Sequence, residues 1–253
     1  MIGVLLALTG FLFQSPASSL KVTPAIVSQI DISKLHGQVR QLAWAPDGKE
    51  LYLQTYDTDK DGSLKTKYHY TLALGGGDPK PLDDQPAWAA DYLSWSTGKT
   101  APDDPTMTIT LDPPTTRTIS AASAPMAGDY AKGGNPGANA GTLVDSVVAA
   151  KQASQTLGVI TIRLKNEIVG EFVNSLFVPG LTFGWGPKGS DLIAFSEKET
   201  GRLFIMDKQG TKLKVDGTKN VVVPAWAQDG TKLAYLQGQG KNKYALVVAS
   251  VGR

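Results

Sequence analysis

"LAWAPDGKELYLQ", residues 42–54, has two close copies further along the chain: "FGWGPKGSDLIAFS" at 183–196 and "PAWAQDGTKLAYLQ" at 224–237. All three follow one pattern, a tryptophan, a small residue, two variable positions, a glycine, two more positions and then Leu. The pattern describes a strand ending at the tryptophan, a turn whose glycine supplies a positive φ, and a second strand starting at the leucine. A fourth stretch, "PAWAADYLSWS" at 86–96, keeps Trp88 and Asp91 but lacks the glycine.

The spacing of these units sets the architecture. Trp44 to Trp88 is 44 residues, Trp185 to Trp226 is 41, and the 97 residues between Trp88 and Trp185 leave room for one more copy. A period in the forties is the signature of β-propeller blades. The expected fold is therefore all-β, a propeller of four-stranded antiparallel blades. Centres near 44, 88, 137, 185 and 226 make five blades, with four to six compatible. Around the first centre, "QVRQLAW", "LYLQTYD" and "KTKYHYTLAL" form three strands, and "KPL" begins a fourth. The last unit has "VVVPAWA", "LAYLQG" and "KYALVVASV" but no fourth strand after them. The segment "PAIVSQIDI" at 24–32 is a strand with no local partner. Pairing it as the outer strand of the last blade closes the ring and covers an edge.

These Trp-Ala-Pro-Asp-Gly units resemble the Pro-Asp, WD-like repeat of TolB-like β-propellers. The resemblance covers 41–54, 86–96, 183–210 and 224–248. It implies a propeller that docks protein partners.

The rest of the chain divides in two. Residues 2–13, "IGVLLALTGFLF", are an apolar run of signal-peptide length, and Ser15-Pro16-Ala17 offers small residues for cleavage after Ala17. No Lys or Arg precedes the run, which is too short to cross a hydrocarbon core of ~30 Å as a straight helix. Residues 1–20 are thus expected to be a signal peptide or membrane-tethering segment, possible membrane contact running through residues 1–17, and 21–253 the propeller. The protein is then periplasmic or otherwise extracytoplasmic, tethered or free. Residues 112–155, rich in Ala, Gly, Ser, Thr and Pro, fit a degenerate blade with a long loop, or an arm that orders on a partner.

Composition removes several function classes. A net charge of +2 over 253 residues gives no broad field, which argues against nucleic acid as a partner. The absence of cysteine excludes disulfides, thiolate zinc sites and cysteine-linked lipid anchoring. There is no G-x-S-x-G elbow, no H-E-x-x-H and no phosphate-binding glycine motif. His36 and His69 are the two histidines, and His69, between Tyr68 and Tyr70 on a strand, suits a packed or surface imidazole better than a catalyst. Asp83-Asp84 and Asp103-Asp104 fall in Pro-rich connections and are expected in solvent. The repeated tryptophans belong between blades. Trp95, outside the repeated slot, is the better candidate for stacking a ligand.

One stretch carries metal chemistry. "DTDKDGS", residues 57–63, places Asp57, Asp59 and Asp61 two apart before Gly62, with the Ser63 carbonyl as a further oxygen. That is the front half of a calcium loop. Lys65 stands where a further ligand belongs, and Tyr68 stands where a bidentate glutamate belongs. Both departures favour a solvated hairpin over a calcium site. No other cofactor is expected.

The expected function is a non-catalytic, exported scaffold or extrinsic accessory subunit that binds protein partners in a membrane or envelope complex, bioenergetic assemblies included. The alternative is a propeller enzyme or small-ligand binder using the central channel. Converging His, Asp, Glu or Arg at the channel mouth would favour the alternative.

Overall fold

The computed structural model describes residues 17–58, 64–98, 100–102, 104–111, 159–164, 167–173, 180–197, 200–240 and 243–252. Their elements run β1 (Lys21–Asp31), β2 (Gln38–Trp44), β3 (Glu50–Thr58), β4 (Leu64–Ala73), β5 (Lys80–Leu82) and α1 (Ala87–Ser96). Then come β6 (Met107–Leu111), β7 (Val159–Leu164), β8 (Glu167–Val173), β9 (Phe183–Trp185), β10 (Leu192–Ser196), β11 (Leu203–Asp207) and β12 (Lys212–Lys214). The last three are β13 (Val221–Trp226), β14 (Lys232–Gly240) and β15 (Lys243–Gly252).

The strands form a β-propeller of antiparallel sheets. The first sheet is β2-β3-β4-β5, the second β6-β7-β8, the third β9-β10-β11-β12, and the last β13-β14-β15-β1. The expected closure is present. β1 pairs antiparallel with β15 from Lys21↔Gly252 to Asp31↔Lys243, with one bulge between Ile26 and Ser28.

The repeat turns share one construction. Ala45 N–H bonds Glu50 C=O at 3.0 Å and Ala227 N–H bonds Lys232 C=O at 2.9 Å. Asp47 and Asp229 accept the N–H two residues on, from Lys49 at 3.0 Å and Thr231 at 2.9 Å. Gly48, Gly189 and Gly230 adopt φ of 66°, 78° and 71°, the left-handed bend that closes each turn.

Sheets pack face to face through three apolar clusters. Met107, Ile109 and Ile162 of the second sheet meet Phe183, Ile193 and Phe195 of the third. Leu203 and Ile205 of the third meet Leu233, Tyr235 and Val247 of the last. Ala234, Leu236 and Leu246 of the last meet Leu42, Leu51 and Leu53 of the first. At ~25 cal/mol per Å² of apolar area removed from water, these contacts are the main source of stability.

One expectation needs correction. The stretch 86–96, expected to be a second blade core, holds the helix α1. Without the glycine, no residue supplies the turn's positive φ. The same residues instead hold Ala87, Ala89, Ala90 and Leu93, good helix formers, after an extended Pro86 at φ −60° and ψ 142°. The described residues form four sheets, one of them three-stranded, within the expected four to six. Residues 112–155 and 1–16 lie outside the described residues, and with them the degenerate blade and the apolar run. Among the described residues, no helix is long and apolar enough to cross a membrane.

Candidate functional site

A propeller's usual ligand space is the centre, where the first strands of the sheets converge. Here β13 lies beside both β2 and β9, and the Val223 N–H bonds the Leu181 C=O at 2.8 Å just before β9. α1 packs at this junction, against β2 and β9. Its buried residues are Ala89, Tyr92, Leu93 and Ser96, spaced one helical stripe apart. Tyr92 is fully buried, donates to the Trp226 C=O at 2.7 Å, and burial pushes its pKa well up. Trp95 meets Tyr92 edge-on at 4.8 Å, so this aromatic is half-buried packing on the helix, not an open stacking platform.

The repeated tryptophans link units around the centre. The Trp44 indole N–H donates to the Ala225 C=O of the last sheet at 2.8 Å. Trp185 donates to the Gly98 C=O, just past α1, at 2.7 Å. Trp226 is equally buried, but its N–H has no hydrogen-bond partner.

A polar and aromatic cluster covers the face of the first sheet that meets α1. Gln54 and His69 are paired across β3 and β4, so their side chains share that face with Tyr52. The Gln54 amide donates to the Tyr52 hydroxyl at 3.1 Å, and that hydroxyl lies 2.6 Å from His69 Nδ1. Trp88 of α1 meets Tyr52 edge-on at 6.3 Å. Burial lowers the His69 pKa against a raising effect from Asp84, and burial pushes Tyr52 up to about 12. Nothing here activates a nucleophile. The imidazole is a hydrogen-bonded packing group, as its place on the strand suggested.

The other candidates disperse. Asp57, one residue before the end of β3, accepts from the Tyr68 hydroxyl at 2.8 Å, so the residue in the expected glutamate position engages the loop's first carboxylate. Asp59, Asp61 and Ser63 lie outside the described residues. The His36 ring stacks on Tyr68 at 5.0 Å, and the His36 backbone N–H donates to the Tyr70 hydroxyl at 3.0 Å. Asp83 and Asp84 are exposed, as expected. Among the described residues no group of three His, Cys, Asp or Glu side chains is placed to hold a metal. Ala17, the expected cleavage position, is fully buried, and its N–H bonds Asp207 Oδ2 at 3.3 Å. The sequence reading missed the helix at the centre. Its signal was there, in buried positions 89, 92, 93 and 96 at helical rather than strand spacing.

No protein-family model matches the sequence, and no curated protein matches it. Among solved structures, the β-propeller domain of Cps50 (Swd1) from Myceliophteria thermophila is similar at 11% identity and a TM-score of 0.26, over 85% of this chain and 84% of that one. Oligogalacturonate lyase from Vibrio parahaemolyticus is similar at 12% identity and a TM-score of 0.26, over 83% of this chain and 65% of that one. At this level of similarity neither neighbour's activity carries over.

Proposed function

We propose that this protein is a non-catalytic propeller scaffold, TolB-like in its repeats, that docks a protein partner. The observation that carries the reading is α1. Its buried stripe packs against β2 and β9, the strands that flank β13. Recognition then falls to the outer surface, where Ile26 on β1 and Ile168 on β8 are 59% and 50% exposed. The apolar run at 2–13 supports an exported protein working in a membrane or envelope complex, bioenergetic assemblies included.

The test is affinity capture of the tagged full chain from detergent-solubilised membranes, with mass spectrometry of what elutes. A stoichiometric partner supports the scaffold. Elution of the chain alone, at its monomer mass, refutes it.

A further inference from the structure

The cut expected after Ala17 falls inside the fold. Ala17–Ser19 forms a 3-10 turn that leads almost directly into β1 at Lys21. Ala17 and Leu20 are buried in the apolar cluster that holds Leu203, Ile205 and Leu233. The Ala17 C=O accepts from the Leu20 N–H at 3.3 Å, and the Ala17 N–H donates to Asp207 Oδ2 at 3.3 Å. Asp207 is itself fully buried, and its Oδ1 accepts from the Gln209 and Thr211 N–H groups. Cleavage after Ala17 would remove a core residue, open the 3-10 turn and take one donor from a buried carboxylate. Depriving a buried polar atom of its partner is costly, so the fold uses what the cut would discard.

The position of Ala17 also decides where the preceding chain leaves the fold. Phe13, the last residue of the apolar run, is four residues before Ala17, a reach of at most about 14 Å. The run therefore meets the propeller beside the turn after β11 and the Lys21 end of β1. β1 rises about 3.3 Å per residue, which puts its Asp31 end roughly 33 Å away. Lys21, Lys212 and Lys232 are exposed at the Ala17 end. Asp229, the exposed acid in the turn before Lys232, accepts from the Thr231 N–H and hydroxyl at 2.9 and 2.8 Å. Exposed lysines beside an apolar run suit the phosphates of lipid headgroups.

We propose that the exported chain keeps residues 1–17, and that the run at 2–13 anchors the Ala17 end of the propeller to a lipid surface. Twelve apolar residues reach about 18 Å even at helical rise, enough to enter one leaflet of a ~30 Å core but not to cross both. Held within about 14 Å of the fold by its short connection, the run loses its contact with water only where this end of the propeller meets the bilayer. The turn after β11 then faces the headgroups, and the Asp31 end of β1, with the 3-10 turn Ile32–Lys34, faces away. The inference rests on the export part of the reading above and not on a protein partner.

The test uses two single-cysteine variants of the full chain, which has no cysteine of its own. Gln209→Cys marks the turn after β11 and Lys34→Cys the far end of β1, both at exposed positions. A maleimide that cannot membranes penetrate, applied to spheroplasts of a bacterial host, labels the exported pool of Lys34→Cys, and intact mass reads its N-terminus. Labelled chain that retains residues 1–17, with or without the initiator Met, is the expected result. Labelled chain beginning at Ser18 overturns the proposal, and no labelled chain at all refutes the export reading beneath it. The purified variants, each carrying a fluorophore, are then mixed with phosphatidylethanolamine and phosphatidylglycerol vesicles containing doxyl-labelled lipid. Emission from position 209 should be quenched severalfold more than emission from position 34. Equal quenching at the two positions, or none at either, overturns the proposal. A Ser18 N-terminus on a chain that still captures a stoichiometric partner refutes retention and leaves the scaffold standing. A tethered chain that captures nothing does the reverse.

Discussion

Replacing each repeat tryptophan with phenylalanine separates what the repeat does in packing from what it does in hydrogen bonding. Trp44, Trp185 and Trp226 are each 1% exposed, so the packing lost on shrinking the ring is common to the three at first order. The hydrogen bonds are not common. Trp44→Phe and Trp185→Phe each lose an indole bond to a carbonyl, worth a net of about 0.5–1.5 kcal/mol. Trp226→Phe loses none and removes a buried N–H without a partner, whose desolvation costs about 1–3 kcal/mol. Trp226→Phe should therefore be more stable than Trp44→Phe by about 1.5–4.5 kcal/mol. Urea unfolding at equilibrium, with the slope checked to be unchanged, reads this difference directly. If Trp226→Phe is as destabilised as Trp44→Phe, the indole is not an inter-unit clamp and the repeat's tryptophan is ring packing alone.

Gly210 adopts φ 82° in the turn after β11, and a Cβ there would overlap the Val169 carbonyl of β8. Gly210→Ala should cost more than Gly48→Ala, which meets nothing within 4 Å and carries only the strain of a positive φ, about 1 kcal/mol. Comparison of the two thermal midpoints checks it. His69 is held neutral by burial, so its folded pKa lies below its unfolded value. Its contribution is fully present above about pH 6.5 and declines as pH falls, because the unfolded chain takes up the proton first. Stability measured from pH 8 down to about 5.5 should fall more steeply in the wild type than in His69→Phe. Equal slopes would disprove a buried neutral imidazole. Asp207 accepts from Gln209 and Thr211 N–H through Oδ1, both at 3.0 Å, and from Ala17 through Oδ2. Asp207→Asn keeps one acceptor but turns an NH₂ toward the Ala17 N–H, so limited proteolysis near residues 17–20 should accelerate. An unchanged cleavage rate would show that this contact does not hold the segment down.

What could be read in the sequence followed from how local its cause is. The Asp47-Gly48 and Asp229-Gly230 turns were legible because a carboxylate accepting the N–H two residues on and a positive-φ glycine are local chemistry. The β1–β15 pairing was legible as a remainder, since one strand lacked a partner and one blade lacked a strand. The helix at 87–96 was masked by a shared Trp-Ala dipeptide. The missing glycine and the apolar spacing argued against a strand there, and tertiary packing chose the helix. Nothing in "LAYLQ" distinguishes a tyrosine whose hydroxyl is paired from one whose hydroxyl, like that of Tyr235, is not.

The β1–β15 pairing also sets a timetable. The outer strand of the last sheet is made first and its three companions are made last. At ribosomal speeds of roughly 5–20 residues per second, the roughly 190 residues between Asp31 and Val221 take about 10–40 s to appear. Through that interval β1, with its exposed Ile26, waits for β15. The waiting strand is the part of the nascent chain with most need of a chaperone.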